Sequence, residues 1–129
     1  TCARDRRIRR RTEKAGMTLI YKIVSQAAWR AAEAAGVFAG APVDLADGFI
    51  HFSTAAQVEE TAAKHFAGQS DLLVIAVDAG SLGDALKWEP SRGGALFPHL
   101  YAPLDPRAAV LVRPLPLRAD GRHDFSGVL

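Results

Sequence analysis

The sequence predicts an α+β domain, and three observations carry that prediction. Two strand-like segments alternate with two helix-like segments in the first half, and the second half holds mainly strands. A continuous apolar run, Leu72-Leu73-Val74-Ile75-Ala76-Val77, reads as a central strand covered on both faces. Helices are missing from the second half, which argues against a doubly wound parallel sheet. The chain has 129 residues with 49% hydrophobic content, which suits one compact domain with a single core, and no internal repeat or low-complexity segment interrupts it.

The formal net charge of +2 is unevenly distributed. Thr1 to Gly16 holds seven basic and two acidic residues, leaving nine basic and twelve acidic from Met17 onward. The folded part is therefore expected to be mildly acidic, and domain charge gives an RNA or other nucleic-acid partner no support. Residues 1–16 have little to bury and read as a disordered basic extension outside the domain. The expected domain spans 17–125, with 126–129 a frayed C-terminus, and the end from Arg118 onward reads as polar and fraying. The extension lacks the apolar run of a secretory signal, and no segment approaches bilayer length, so no membrane association and a cytoplasmic location are expected. Cys2, the single cysteine, excludes an intrachain disulfide or a cysteine metal cage.

Leu19 to Val24 is a strand by its branched and aromatic content, with Lys22 as an odd charge of the kind that reaches solvent from an edge. Ser25 caps a helix to about Ala35, where Gly36 ends it; Trp29 sits on its apolar side as a core anchor. Val37 to Gly48, with Gly40, Pro42, Asp44 and Asp47, reads as an irregular connection and a candidate cleft rim.

The stretch Gly48-Phe49-Ile50-His51-Phe52-Ser53-Thr54 joins a strand to a helix and sets a histidine at the joint. The strand period puts Ile50 and Phe52 on the core face and Phe49, His51 and Ser53 on the other. Ser53 or Thr54 is expected to cap a helix carrying Ala55, Val58, Ala62 and Phe66, which places His51 one turn from amide donors. Later come a short strand, Leu86 to Glu89, ended by Pro90; a Ser91-Arg92-Gly93-Gly94 loop; the histidine-bearing Phe97 to Tyr101; and a last strand, Ala108 to Leu115. The loop matches no phosphate-binding glycine pattern and reads as a turn.

Ile20-Tyr21-Lys22-Ile23, Asp47 to Thr54, Lys87-Trp88-Glu89 and Phe97 to Tyr101 are signatures through which Met17 to Phe125 resembles the bacterial family known as domain of unknown function 952. The resemblance implies an ADP-ribosyltransferase-like fold, a split β-sheet or barrel with two main helices in the first half. It also implies NAD in a cleft. His51 falls where poly-ADP-ribose polymerases carry a tyrosine beside nicotinamide. Ile50-His51-Phe52-Ser53 is similar to the active-site strand of the NAD-dependent RNA 2′-phosphotransferases. Tyr21 and Lys22 occupy the strand that supplies a ribose or phosphate ligand there, but lysine does not reproduce a histidine's neutral hydrogen bonding. No glutamate stands at the late catalytic position of the polymerases; Glu89 comes earlier and reads as a cap at Pro90.

The candidate site that follows has His51 and His99 as catalytic residues and Tyr21, Lys22, Ser53, Thr54, Trp88 and Tyr101 as nucleotide-binding residues, with NAD as candidate substrate. Each has a packing alternative: His51 as a buried imidazole bonded to backbone, His99 as a core neighbour, Trp88 and Tyr101 as packing aromatics. His65 and His123 read as surface positions. Four scattered histidines without close pairing suggest no metal site. Two function classes stand side by side: an NAD-dependent enzyme acting at the nicotinamide ribose, and a noncatalytic module binding a nucleotide or a protein.

Overall fold

The computed structural model describes residues 18–91 and 94–129. The basic extension and Cys2 lie outside the described residues, as do Arg92 and Gly93 of the glycine loop. The first strand, β1 (Leu19–Ser25), runs directly into α1 (Gln26–Ala35), where Ser25 Oγ accepts the Ala28 amide at 3.1 Å and Gly36 closes the helix at φ 80°. Trp29 is buried as expected, its indole N–H donating to Glu33.

The strand β3 (Leu72–Asp78) is the centre of a three-stranded antiparallel sheet, between β1 and β6 (Ala109–Leu115). Both of its faces are covered, which is why its sequence shows no alternation. Leu73, Ile75 and Val77 pack with Trp29, Phe38, Ile50, Phe52 and Leu100, while Leu72, Val74 and Ala76 pack with Tyr21, Val58, Ala62 and Phe125. Burying each of the valine, leucine, isoleucine and phenylalanine side chains among these contributes about 1.5–3 kcal/mol.

The second sheet has the order β2 (Ile50–His51), β5 (Ala95–Leu100), β4 (Leu86–Ser91), again antiparallel. It meets the first through a bridge in which Tyr21 and Ser53 exchange amide hydrogen bonds of 2.7 and 2.8 Å. Two three-stranded sheets with α1 and α3 (Val58–His65) as the longer helices make an α+β fold, but among the described residues no closed barrel forms. Pro90 does not end β4, which continues to Ser91 opposite Ala95. A proline is tolerated there because β4 is an edge strand.

Three further expectations are corrected. Val37–Gly48 is not wholly irregular: α2 (Pro42–Asp47) forms within it, with proline in the first turn and Gly48 at φ 89° as its stop. Neither Ser53 nor Thr54 caps α3, which begins at Val58 after a turn; the Ser53 hydroxyl instead pairs with Thr61 at 2.9 Å. His51 is thus not beside free helix amides. The chain after Arg118 folds back rather than fraying: Phe125 is buried, and His123 is buried with Nε2 2.8 Å from the Gln69 carbonyl. Among the described residues no helix is long and apolar enough to cross a membrane.

Candidate functional site

The site is built around a residue that the sequence did not single out. Asp44, in the first turn of α2, is 1% exposed. Its Oδ2 accepts the Ala41 amide at 2.7 Å and lies 3.0 Å from Lys22 Nζ, while its Oδ1 accepts the His51 amide at 3.1 Å and contacts His51 Nδ1 at 2.7 Å. Burial pushes the Asp44 carboxyl up, but the hydrogen bond from His51, the Lys22 charge and the Ala41 amide outweigh it and hold the group at about 2. Gly40 makes the approach possible: it has φ +124°, and a Cβ there would stand 2.8 Å from Asp44 Cβ.

Lys22 does not reach solvent. It is 7% exposed, and Nζ donates to Asp44 and to the His51 carbonyl at 3.0 Å, with the Phe38 ring centroid 6.0 Å away. Burial pushes its pKa down, opposed by the charge and hydrogen bond of Asp44. Its donors are committed to holding α2 against β1 and β2, so it is not placed as a phosphate clamp.

His51 is about a quarter exposed, and its ring spans two carboxylates: Nδ1 on Asp44, and Nε2 2.9 Å from Asp47 Oδ2. With Asp44 held ionised, Nδ1 carries a proton, and Nε2 is the nitrogen beside the half-exposed Asp47. Across the sheet His51 pairs with His99, their ring centroids 5.4 Å apart. His99 is buried, with Nδ1 2.8 Å from Glu89 Oε1, which also accepts the Tyr101 hydroxyl at 2.7 Å. The hydrogen bond from Tyr101, then that from His99, lowers the Glu89 pKa, and Glu89 in turn raises that of Tyr101. Glu89 is therefore a partner of His99 and Tyr101 rather than a cap at Pro90. Phe49 packs against all three rings, stacked on His99 at 4.1 Å and tilted on His51 at 4.5 Å and Tyr101 at 5.1 Å.

The structure brings Lys22, His51, His99 and Tyr101 together and adds Asp44, Asp47, Phe49 and Glu89. The other sequence candidates stand elsewhere. Tyr21 faces the opposite side of β1 and packs with Val58 and Ala62. Ser53 is buried on Thr61, and the Thr54 amide donates to Gln57 Oε1. Trp88 alternates with Lys87 and Glu89 onto the other face of β4, beside Asp78, Gly80 and Leu86. A depression of about 260 Å³, lined by Asp44, Leu45, Phe49, Tyr101 and Pro103 among others, shares Phe49 and Tyr101 with the histidine cluster.

Fold and site together define a small α+β protein in which a buried Lys–Asp pair presents a histidine on an acidic, aromatic face. The chain belongs to the family described as protein of unknown function (DUF952), whose model matches residues 23–112. It is similar to protein CC0527 from Caulobacter crescentus. The crystal structure of that protein is 55% identical, with a TM-score of 0.82, over 85% of this chain and 96% of that one. Its solution NMR structure is 56% identical, with a TM-score of 0.79, over 88% and 97%. No curated protein matches the chain.

Proposed function

We propose that this face binds a nucleotide of the NAD class and acts at its nicotinamide ribose, in the manner of ADP-ribosyltransferase-like proteins. The observation that carries the reading is His51, fixed through Nδ1 by an ionised buried carboxylate, with Nε2 beside the half-exposed Asp47 and the ring packed on Phe49, which also meets Tyr101. A carboxylate that fixes tautomer and orientation is what a proton-transferring imidazole needs. The surroundings suit positive charge: Asp47 and Glu89 are both partly exposed, and Tyr101 is 46% exposed. Oxidised nicotinamide is a cationic ring, and its loss leaves positive charge on the ribose, which carboxylates and aromatic faces stabilise.

In this reading the C1′–N bond breaks with its electron pair leaving on neutral nicotinamide. Water then bonds to C1′ and passes a proton to His51. Lys22 acts through Asp44 as a positioning residue. His99 and Glu89 orient Tyr101, and the pyrophosphate lies away from the acidic face. Tyr21, Ser53 and Thr54 support the strand that carries His51, and Trp88 lies outside the site. A noncatalytic nucleotide-binding module shares every step up to the bond cleavage.

Saturation-transfer NMR with NAD, followed by an assay for free nicotinamide, tests the proposal. Transfer to the nicotinamide and ribose protons with slow nicotinamide release is expected. Transfer without release identifies the noncatalytic module, and no transfer at millimolar NAD refutes the nucleotide reading.

A further inference from the structure

Asp47 stands where helix physics does not favour it. It is the last residue of α2, near the carbonyl end of the helix, and the last turn holds no basic residue to offset it. Its side chain is 49% exposed, so burial does not explain its orientation; Oδ2 is nonetheless 2.9 Å from His51 Nε2. With Nδ1 committed as a donor to Asp44, a neutral His51 ring offers Nε2 as an acceptor only. Nε2 and Asp47 Oδ2 then form two adjacent acceptors 2.9 Å apart, an arrangement satisfied either by a proton on the ring or by a ligand bringing two neighbouring donors.

We infer that Asp47 and His51 together read a cis-vicinal diol, so that Asp47 is the residue that selects ribose over 2-deoxyribose; this rests on the nucleotide reading of the site. One hydroxyl donates to His51 Nε2 and its neighbour to Asp47 Oδ2. The hydroxyls of a cis-diol lie side by side, as these two acceptors do. The apolar face of a sugar ring meets Phe49 and Tyr101, the aromatic lining of the neighbouring depression. A carboxylate accepting from a ribose hydroxyl is an established mode of nucleotide recognition. A ligand with one hydroxyl, or with a phosphate in place of the second, leaves one acceptor unpaired or repelled, which is how a polar site rejects an analogue.

The test uses simple sugars in place of NAD. Methyl β-D-ribofuranoside, its 2-deoxy analogue and methylguanidinium are titrated separately at high millimolar concentration into the wild type, Asp47→Asn and Asp47→Ala, following the His51 ring resonances. Melting temperatures confirm that the variants fold, as expected for a half-exposed position. The riboside should shift His51 saturably and the 2-deoxy analogue at least fivefold more weakly, and Asp47→Ala should lose that discrimination. Asp47→Asn, which keeps one acceptor oxygen but loses the charge, should weaken the riboside in the same direction and by less than Asp47→Ala. Equal response to both sugars, no response to either, stronger response to methylguanidinium, or discrimination retained in Asp47→Ala overturns the inference. The two readings fail separately. Riboside binding without NAD binding removes the nucleotide reading and leaves the diol; NAD binding equal to that of 2′-deoxyribose NAD does the reverse.

Discussion

Replacing Asp44 with alanine removes the shared partner of Lys22, His51 and the Ala41 amide in one step. The ammonium of Lys22 is left 7% exposed with the His51 carbonyl as its remaining described acceptor. Breaking one side of a buried ion pair costs about 3–5 kcal/mol, because the surviving charge stays desolvated and unpaired. Against a total stability of roughly 5–15 kcal/mol, that is a loss large enough to measure by urea denaturation and, in a marginal domain, to unfold it. At this chain length the melting temperature should fall on the order of 15 °C. The informative comparison is the double substitution Lys22→Met with Asp44→Leu, which removes both charges and fills the space with apolar atoms. It should cost less than Asp44→Ala alone, since replacing a whole buried pair is often neutral. A loss below about 1 kcal/mol for Asp44→Ala, or a double variant as unstable as the sum of its singles, would refute the buried pair as the support of the site.

Three other consequences follow from the same geometry. The folded Asp44 pKa of about 2 lies below its ordinary 3.8, so the group stabilises the fold above pH 4 and loses that contribution as pH falls from about 4 towards 2. The amount is roughly 2 kcal/mol, and urea denaturation across that window should show the gap between wild type and Asp44→Asn closing. Gly40→Ala puts a methyl carbon against Asp44 Cβ at a backbone angle that favours glycine; it should destabilise by about 1–3 kcal/mol and move the His51 ring resonances. Glu89→Gln removes the carboxylate that raises Tyr101, so spectrophotometric titration should show the phenol ionising at lower pH than in wild type, and an unchanged midpoint would exclude that contact.

Much of the fold was legible because it is encoded locally. The Ser25 cap, the Gly36 stop and the Leu72–Val77 run are each read from adjacent residues, and all took the forms expected. The pairing of His51 with His99 was hidden, since register between distant strands leaves no trace in local spacing. Lys22 misled for a related reason: its partner is 22 residues away, so a lysine in an apolar strand looked like an edge residue. Asp44 was missed because α2 is six residues long, too short for hydrophobic periodicity. Pro42 in the first turn, Asp44 two residues on and Gly48 after the end were nevertheless a readable start and stop signal. Pro90 continues β4 because β4 lies at a sheet edge, a position that the local sequence does not encode.

The central claim is that His51 is a ligand-facing group held by Asp44, and long-range ¹H–¹⁵N correlation of the imidazoles during an NAD titration tests it most directly. The His51 Nδ1 resonance should report a protonated nitrogen throughout, and Nε2 should shift saturably as NAD is added. His123, bonded to the Gln69 carbonyl, should stay fixed as an internal control. His51 resonances that do not move at millimolar NAD, or that move no more than those of His123, would contradict the claim.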